Sequence, residues 1–382
     1  MKVAILGFGT VGSGAYEIIK ESNCGLEVAC VLDRFVPAGY EDLVVTDYDR
    51  ILTDPDIKIV AEAIGGLHPA YEFVSAALRA GKHVVSANKH LICHYYKELH
   101  ALAAENGCVL RFTPSAGGGI PWLFNLRRAA RCDEILSLRG IMNGTTNYIL
   151  DAMQNLGSDF AEVLAVAQEL GYAEADPSAD IDGWDVRRKC AISASLAFDA
   201  AFGEEDVPTF GIRTVTKADI DYFKSIGMVC KLLAFARRED DRVSTYVEPT
   251  LLPAAAREAS VGTNFNCISL WGKYVGCLSF VGQGAGKFPT GHALVEDMLD
   301  IRDGIDFLRF SRKTDVTVDN TCFAHPYYLR TTAPIDNDII ARRDGGVIIT
   351  KPLSPAEIHR IVSRATEFDP LLFVAGLEDN VE

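Results

Sequence analysis

The run Gly7-Phe8-Gly9-Thr10-Val11-Gly12 constrains this chain more than any other feature. It follows the short apolar segment Lys2–Leu6 and opens an amphipathic stretch over Gly12–Lys20. In such a turn each glycine has its own use. Gly7 allows the tight turn, Gly9 lets the backbone approach a pyrophosphate, and Gly12 lets the helix lie close on the strand. The amides at the helix start then face the anion. Glycine-rich turns are common, so the spacing alone is weak evidence, but its context is right. An acid follows about 20 residues later, where a ribose hydroxyl would need an acceptor. That acid is Asp33, at the end of the segment Glu27–Leu32. Asp33 favours NAD. Its neighbour Arg34 offers a partner for the 2′-phosphate of NADP, so both nucleotides stay open.

Short apolar segments at Lys2–Leu6, Glu27–Leu32, Ile59–Ile64, His83–Ser86 and Cys108–Phe112 alternate with helical patterns near Gly12–Lys20, Pro69–Ala80 and Tyr95–Glu105. This is the pattern of βαβ units around a parallel sheet. It predicts a Rossmann-type dinucleotide-binding domain over residues 1–132, completed by 284–318. The alternation then stops. Residues 133–283 read as an inserted α+β substrate and dimerisation domain. Its expected strands are Ile135–Met142, Arg242–Leu251 and Cys267–Val281, and its helices lie near Tyr148–Asn155, Phe160–Leu170 and Gly183–Ala200. A helix is expected at His292–Ile301. Residues 319–382 form a short tail with its own strand–helix–strand pattern at Val347–Thr350, Ala356–Thr366 and Leu371–Ala375.

The 382 residues carry a net charge of −15. So acidic a surface repels nucleic acid and anionic membrane, and a phosphate-bearing ligand needs a local site. No apolar stretch is long enough to span a bilayer. Lys2–Leu6 is too short for a signal-peptide core. The ten cysteines include no Cys-x-x-Cys pair and several sit in apolar runs. They read as buried thiols of a reducing, cytoplasmic compartment rather than as disulfides or a zinc site.

Six further motifs stand in a fixed order. They are Ile64-Gly65-Gly66-Leu67-His68-Pro69-Ala70; Gly81 through Ser86-Ala87-Asn88-Lys89; Gly117-Gly118-Gly119-Ile120-Pro121; Asn143-Gly144-Thr145-Thr146-Asn147; Gly171-Tyr172-Ala173-Glu174-Ala175-Asp176-Pro177, with Asp180, Gly183, Asp185 and Lys189 beyond it; and Gly284-Ala285-Gly286-Lys287. Each is unspecific alone, but the ordered set resembles the homoserine dehydrogenases over about the first 310 residues. The resemblance implies NAD(P)-dependent interconversion of L-homoserine and L-aspartate 4-semialdehyde, feeding threonine, methionine and isoleucine synthesis. It also implies a homodimer or higher homo-oligomer. Cofactor contacts fall to Gly7, Phe8, Gly9, Thr10, Val11, Gly12, Asp33, Arg34, Gly65, Gly66, Lys89, Gly284 and Gly286.

Oxidising a hydroxyl requires a hydride acceptor, a group that takes the hydroxyl proton, and charges that fix the substrate's ends. Asp185 and Lys189 are spaced i, i+4 and share a helix face. On spacing alone such a pair is usually a surface salt bridge worth less than about 1 kcal/mol. The resemblance instead makes Lys189 the acid–base residue, with Asp185 beside it. Lys89, beyond a strand of the parallel sheet, is the second catalytic candidate, although by pattern alone it is an exposed loop lysine. Glu174 and Asp180 suit an ammonium group. By pattern they are loop acids and helix caps, and the resemblance gives Glu174 to the substrate more firmly than Asp180.

Relatives of this kind often hold Na⁺ or K⁺ through backbone carbonyls that map to Ala116, Gly118 and Ile120. Their nearby glutamate is absent here, where the chain reads Phe112-Thr113-Pro114-Ser115. The tail resembles a ligand-sensing module of the ACT type, with Tyr327–Arg330 as its opening strand and its middle shortened. Two other functions stay open at this point. One is a dehydrogenase of another aldehyde or amino acid. The other is a nucleotide sensor without catalysis, which would not need both lysines.

Overall fold

A computed structural model describes residues 1–305 and 316–378. It divides into two compact units. The first comprises Met1–Arg131, Ser195–Gly203 and the described part of Gln283–Lys313; the second comprises the described remainder. Residues 306–315, within the segment expected to complete the first domain, lie outside the described residues.

The first unit is built on a six-stranded parallel sheet. Its strands are β1 (Lys2–Leu6), β2 (Glu27–Leu32), β3 (Val44–Val45), β4 (Ile57–Glu62), β5 (His83–Ser86) and β6 (Leu110–Arg111), in the order β3-β2-β1-β4-β5-β6. The order reverses at β1, and a doubly wound sheet binds its ligand at such a point, beyond the carboxyl ends of the strands. Val3, Ile5, Val31, Ile59, Ala61 and Val85 form the core under this sheet. Leu294, Met298 and Ile301 of the helix Lys287–Arg302 join them. That helix lies close against Thr10–Ser22. A Cβ on Gly14 would come within 2.4 Å of the Lys287 carbonyl oxygen, so only glycine allows the approach.

The second unit is built on a ten-stranded sheet. Its strands are β7 (Ile135–Ile141), β8 (Met228–Glu239), β9 (Arg242–Pro253), β10 (Phe265–Gly272), β11 (Gly276–Gln283), β12 (Thr317–Val318), β13 (Tyr327–Arg330), β14 (Ile340–Asp344), β15 (Val347–Thr350) and β16 (Phe373–Leu377). The main path is β11-β10-β7-β8-β9-β16-β13-β15-β14, with β12 beside β9.

Three features differ from the sequence reading. Cys267–Val281, expected as one strand, is the hairpin β10–β11. β8 was not expected at all. It is buried on both faces along most of its length, so it lacks the alternation that marks a half-exposed strand. The tail retains more strands than its sequence suggested. A loop and the 3-10 turn Asn337–Ile339 connect β13 to the β14–β15 hairpin. Among the described residues no helix is long and apolar enough to cross a membrane.

Candidate active site

In the first unit, a candidate nucleotide site lies at the carboxyl end of the parallel sheet. Gly7 has φ +93°, in the left-handed region. A Cβ on Gly12 would fall 1.9 Å from the Gly7 oxygen, whereas one on Gly9 would meet nothing within 4 Å. Thus Gly12 is required by packing and Gly9 leaves open space over the loop, as a closely approaching phosphate demands. The helix Thr10–Ser22 starts at Gly9 without a side-chain cap, leaving its first amides for a ligand. A cavity of about 700 Å³ adjoins the loop, lined by Gly7, Gly9, Asp33, Arg34, Gly65 and Phe73 among others. These residues fit a dinucleotide. Phe8, Thr10 and Val11 belong to the same loop and helix start.

Asp33 does two jobs locally. Its carboxylate accepts the Phe8 amide at 2.6 Å and the Phe35 amide at 3.1 Å. Arg34 is exposed. Gly284 and Gly286 lie in the turn before Lys287–Arg302. A Cβ on Gly118 would strike Gly284 at 2.4 Å, and Gly286, at φ +125°, begins the helix.

Glu62, which sequence reasoning missed, organises the loops after β4 and β5. It is fully buried. It accepts the amides of Ile64 (2.9 Å) and Gly65 (3.2 Å), the Ser86 hydroxyl (2.5 Å) and the Asn88 carboxamide (3.3 Å). Burial pushes its carboxyl above the ordinary range, and these donors oppose the shift. Asn88 also donates to the Gly66 carbonyl at 2.6 Å and caps the helix Lys89–Glu105 through Leu91. Gly65, Gly66 and half-buried Lys89 are therefore set by one buried network. The signal for it was an acid inside the otherwise apolar run Ile59–Ile64.

A separate polar cluster lies within the second unit. The Lys189 ammonium donates to Asp185 Oδ2 and to the Met142 carbonyl, both at 2.8 Å. Lys189 and Asp185 are 7% and 5% exposed, so this is a buried pair and not a surface one. Asn143 caps the helix Gly144–Leu156 by accepting the Thr146 amide at 2.8 Å. Its Nδ2 donates to Asp180 Oδ1 at 2.7 Å and to Asp185 Oδ2 at 2.8 Å. Burial, then repulsion from Asp185, pushes the Asp180 carboxyl above its ordinary range, while the Asn143 bond opposes the shift. Glu174 stays exposed outside this cluster, its backbone carbonyl accepting Gln168 Nε2 at 3.0 Å. Asn143 opens the Asn143–Asn147 motif, but nothing local in the chain marks a carboxamide that reaches both acids.

The proposed cation ligands are less well provided. The Ile120 carbonyl already accepts the Trp122 amide at 2.7 Å. Thr113 turns its amide and hydroxyl to buried Asp297, both at 2.8 Å, and Arg111 pairs with Asp297 and Asp300. Ala116, Gly118 and Ile120 could offer neutral backbone oxygens alone, and the segment Phe112–Gly119 itself carries no acid. A monovalent cation does not fit this donor set well. No cluster of three or more His, Cys, Asp or Glu suited to a metal occurs among the described residues.

Residues 7–113 match the family model described as homoserine dehydrogenase, NAD binding domain, and residues 121–299 match that of homoserine dehydrogenase. The homoserine dehydrogenase of Synechocystis sp. is 41% identical over 316 residues, covering 79% of this chain and 73% of the relative. That of Bacillus subtilis is 40% identical over 79% of this chain and 72% of its own. A homoserine dehydrogenase structure from Thiobacillus denitrificans superposes with a TM-score of 0.88 at 32% identity, covering 99% of this chain and 98% of that one. A hyperthermophilic archaeal homoserine dehydrogenase in complex with NADPH superposes with a TM-score of 0.70 at 26% identity, over 81% of this chain and all of its own. On these grounds the chain belongs to the homoserine dehydrogenase family, the nicotinamide-dependent oxidoreductases that interconvert L-homoserine and L-aspartate 4-semialdehyde.

Proposed function

We propose that Lys189 exchanges the proton of the reacting oxygen. In the oxidative direction its neutral amine, formed by loss of a proton to solvent, takes the hydroxyl proton of homoserine and becomes the ammonium, and in the reductive direction the ammonium gives a proton to the aldehyde oxygen. The nicotinamide ring, when bound, supplies or accepts the hydride. The observation that carries this reading is the burial of the Lys189–Asp185 pair, which removes it from the class of solvated surface bridges. Asp185 orients the ammonium. Glu174 and Asp180 hold the substrate's amine, and Lys89 is the second catalytic lysine, at the nicotinamide and substrate. Gly7–Gly12 bind the pyrophosphate. Gly65, Gly66, Gly284 and Gly286 line the path of the nucleotide.

NAD is accepted at least as well as NADP, since Asp33 ends β2 where the ribose hydroxyls would lie and repels a 2′-phosphate. Exposed Arg34 and the NADPH held by the archaeal relative support use of NADP as well. The enzyme works in the cytoplasm as a homodimer or larger homo-oligomer. The scatter of ten cysteines without a Cys-x-x-Cys pair supports a reducing compartment.

Cofactor reduction at 340 nm with homoserine tests the reaction, run with NAD and NADP in parallel. Lys189→Ala is expected to cut turnover by roughly 10²–10⁴-fold while nucleotide affinity holds. Glu174→Ala is expected to raise the KM for homoserine more than it lowers kcat. Near-normal turnover in Lys189→Ala removes that lysine from the mechanism and leaves Lys89 as the next candidate.

A further inference from the structure

The carboxamide of Asn143 has only one workable orientation. Its oxygen accepts the Thr146 amide, and its two N–H groups serve Asp180 and Asp185, one each. Turned over, it would set an oxygen against two carboxylate oxygens and an NH₂ against a backbone N–H. The chemistry of its neighbours therefore fixes which way it points.

We propose that Asn143 is a positioning residue that holds Asp180 and Asp185 side by side as ammonium acceptors, one for the substrate's amine and one for Lys189. Two carboxylates this close repel each other, and a shared neutral donor lets both face one site as anions. The inference rests on the assignment of Lys189 and Asp180 made above.

The groups around Asp180 are few. Asp185 and Lys189 act on it from the helix Trp184–Phe198, and Asn143 and Thr145 from the start of Gly144–Leu156. On its own short helix, Ser178–Ile181, and the residue after it, Asp182 is taken up by Arg213 at 2.7 Å. Lys189 is already held by Asp185 and Met142. Asn143 is thus the neutral side chain that bonds both acids, and losing it should make Asp180 harder to ionise.

Asn143→Ser separates this role from helix capping, because serine caps about as well as asparagine but is too short to reach both acids. Asn143→Asp is a second variant that keeps both shape and cap while replacing the donor with a third acid. Three quantities are read in each: the midpoint of thermal unfolding, the pH profile of kcat/KM for homoserine, and the titration of Asp180. The last uses ¹³C-carboxyl aspartate, with Asp180→Asn assigning the signal.

We expect Asn143→Ser to unfold within a few degrees of wild type and to bind nucleotide normally. Its KM for homoserine should rise on the order of tenfold, its acid limb should move to higher pH, and the Asp180 titration should move the same way. Asn143→Asp should shift both further. An unmoved Asp180 titration in a folded Asn143→Ser protein overturns the proposal. The titration does not depend on turnover, so it stays decisive even if Lys189→Ala is active and the proton-transfer assignment fails. Conversely, a dead Lys189→Ala beside an Asn143→Ser with wild-type pH profile and titration would leave that assignment standing and remove Asn143 alone.

Discussion

Asp33 Oδ2 accepts the amide of Phe8 at 2.6 Å, so the acid that would meet the adenosine ribose is also a strut of the phosphate loop. Changing it therefore has two consequences that can be separated. Asp33→Asn keeps an oxygen for Phe8 and removes the charge that repels a 2′-phosphate. It should improve NADP relative to NAD on the order of tenfold without weakening NADP binding. Asp33→Ala should shift the ratio in the same direction but loosen the loop and weaken both nucleotides. Steady-state kinetics with each cofactor checks this. A wild type confined to NADP, unaltered by either substitution, would show that Asp33 does not face the ribose.

The bonds between Thr113 and Asp297 bear on salt dependence. With Thr113 turned to Asp297 and no acid in the segment Phe112–Gly119, turnover should be the same in sodium, potassium or choline chloride at equal ionic strength. Saturable activation by one cation would overturn this. Restoring an acid should not create a cation site. Thr113→Glu places a second carboxylate beside Asp297, whose carboxyl burial already pushes above its ordinary range. It should destabilise the first unit by about 3 kcal/mol or more, measured as a lowered urea midpoint.

His359 lies flat against Phe210, with ring centroids 3.8 Å apart. Burial, with Arg187 nearby, pushes the imidazole down to about 4. An unfolded chain would take up that proton near pH 6.5. The stability linked to His359 is therefore complete above about pH 6.5 and is lost as pH falls toward 4, by at most about 1.4 kcal/mol per unit. His100, pushed to about 4 by its own burial, acts in the same sense. The test is thus the difference between proteins. His359→Phe keeps the stacked ring, and its urea midpoint should fall less between pH 7 and 5 than that of wild type. Parallel declines would mean that the folded ring takes up its proton as readily as the unfolded one.

What could be read in advance depended on how local the cause was. The Gly7–Gly12 turn and the parallel strands are fixed by neighbours in sequence, and their pattern is plain. Asp185 and Lys189 could be placed on one helix face. Their burial could not be read, because it comes from Met142 and Asn143, more than 40 residues away. Glu62 illustrates the same limit. Two of its four donors, Ser86 and Asn88, come from a stretch more than 20 residues away that meets it only once the sheet has formed. β8 escaped notice for the opposite reason, since burial on both faces erases the periodicity that would have marked it.

The pairing of β16 with β9 has a consequence for cutting or grafting this chain. Gly376 and Leu377 lie in register with Thr250 and Leu251, and Arg139 pairs with Glu378 just beyond, at 2.7 Å. The tail is therefore sewn into the sheet and does not hang from it. A protein ending before Thr317 would uncover both ends of the β9 flank, at Arg242–Val243 and Thr250–Leu251, although Pro208 and Phe210 would still bond Val247 between them. Bare flanks of that kind recruit strands from other molecules. Shortening the chain to match its briefer relatives would then yield sticky, poorly soluble protein unless the β9 flank were first redesigned with charges or a proline.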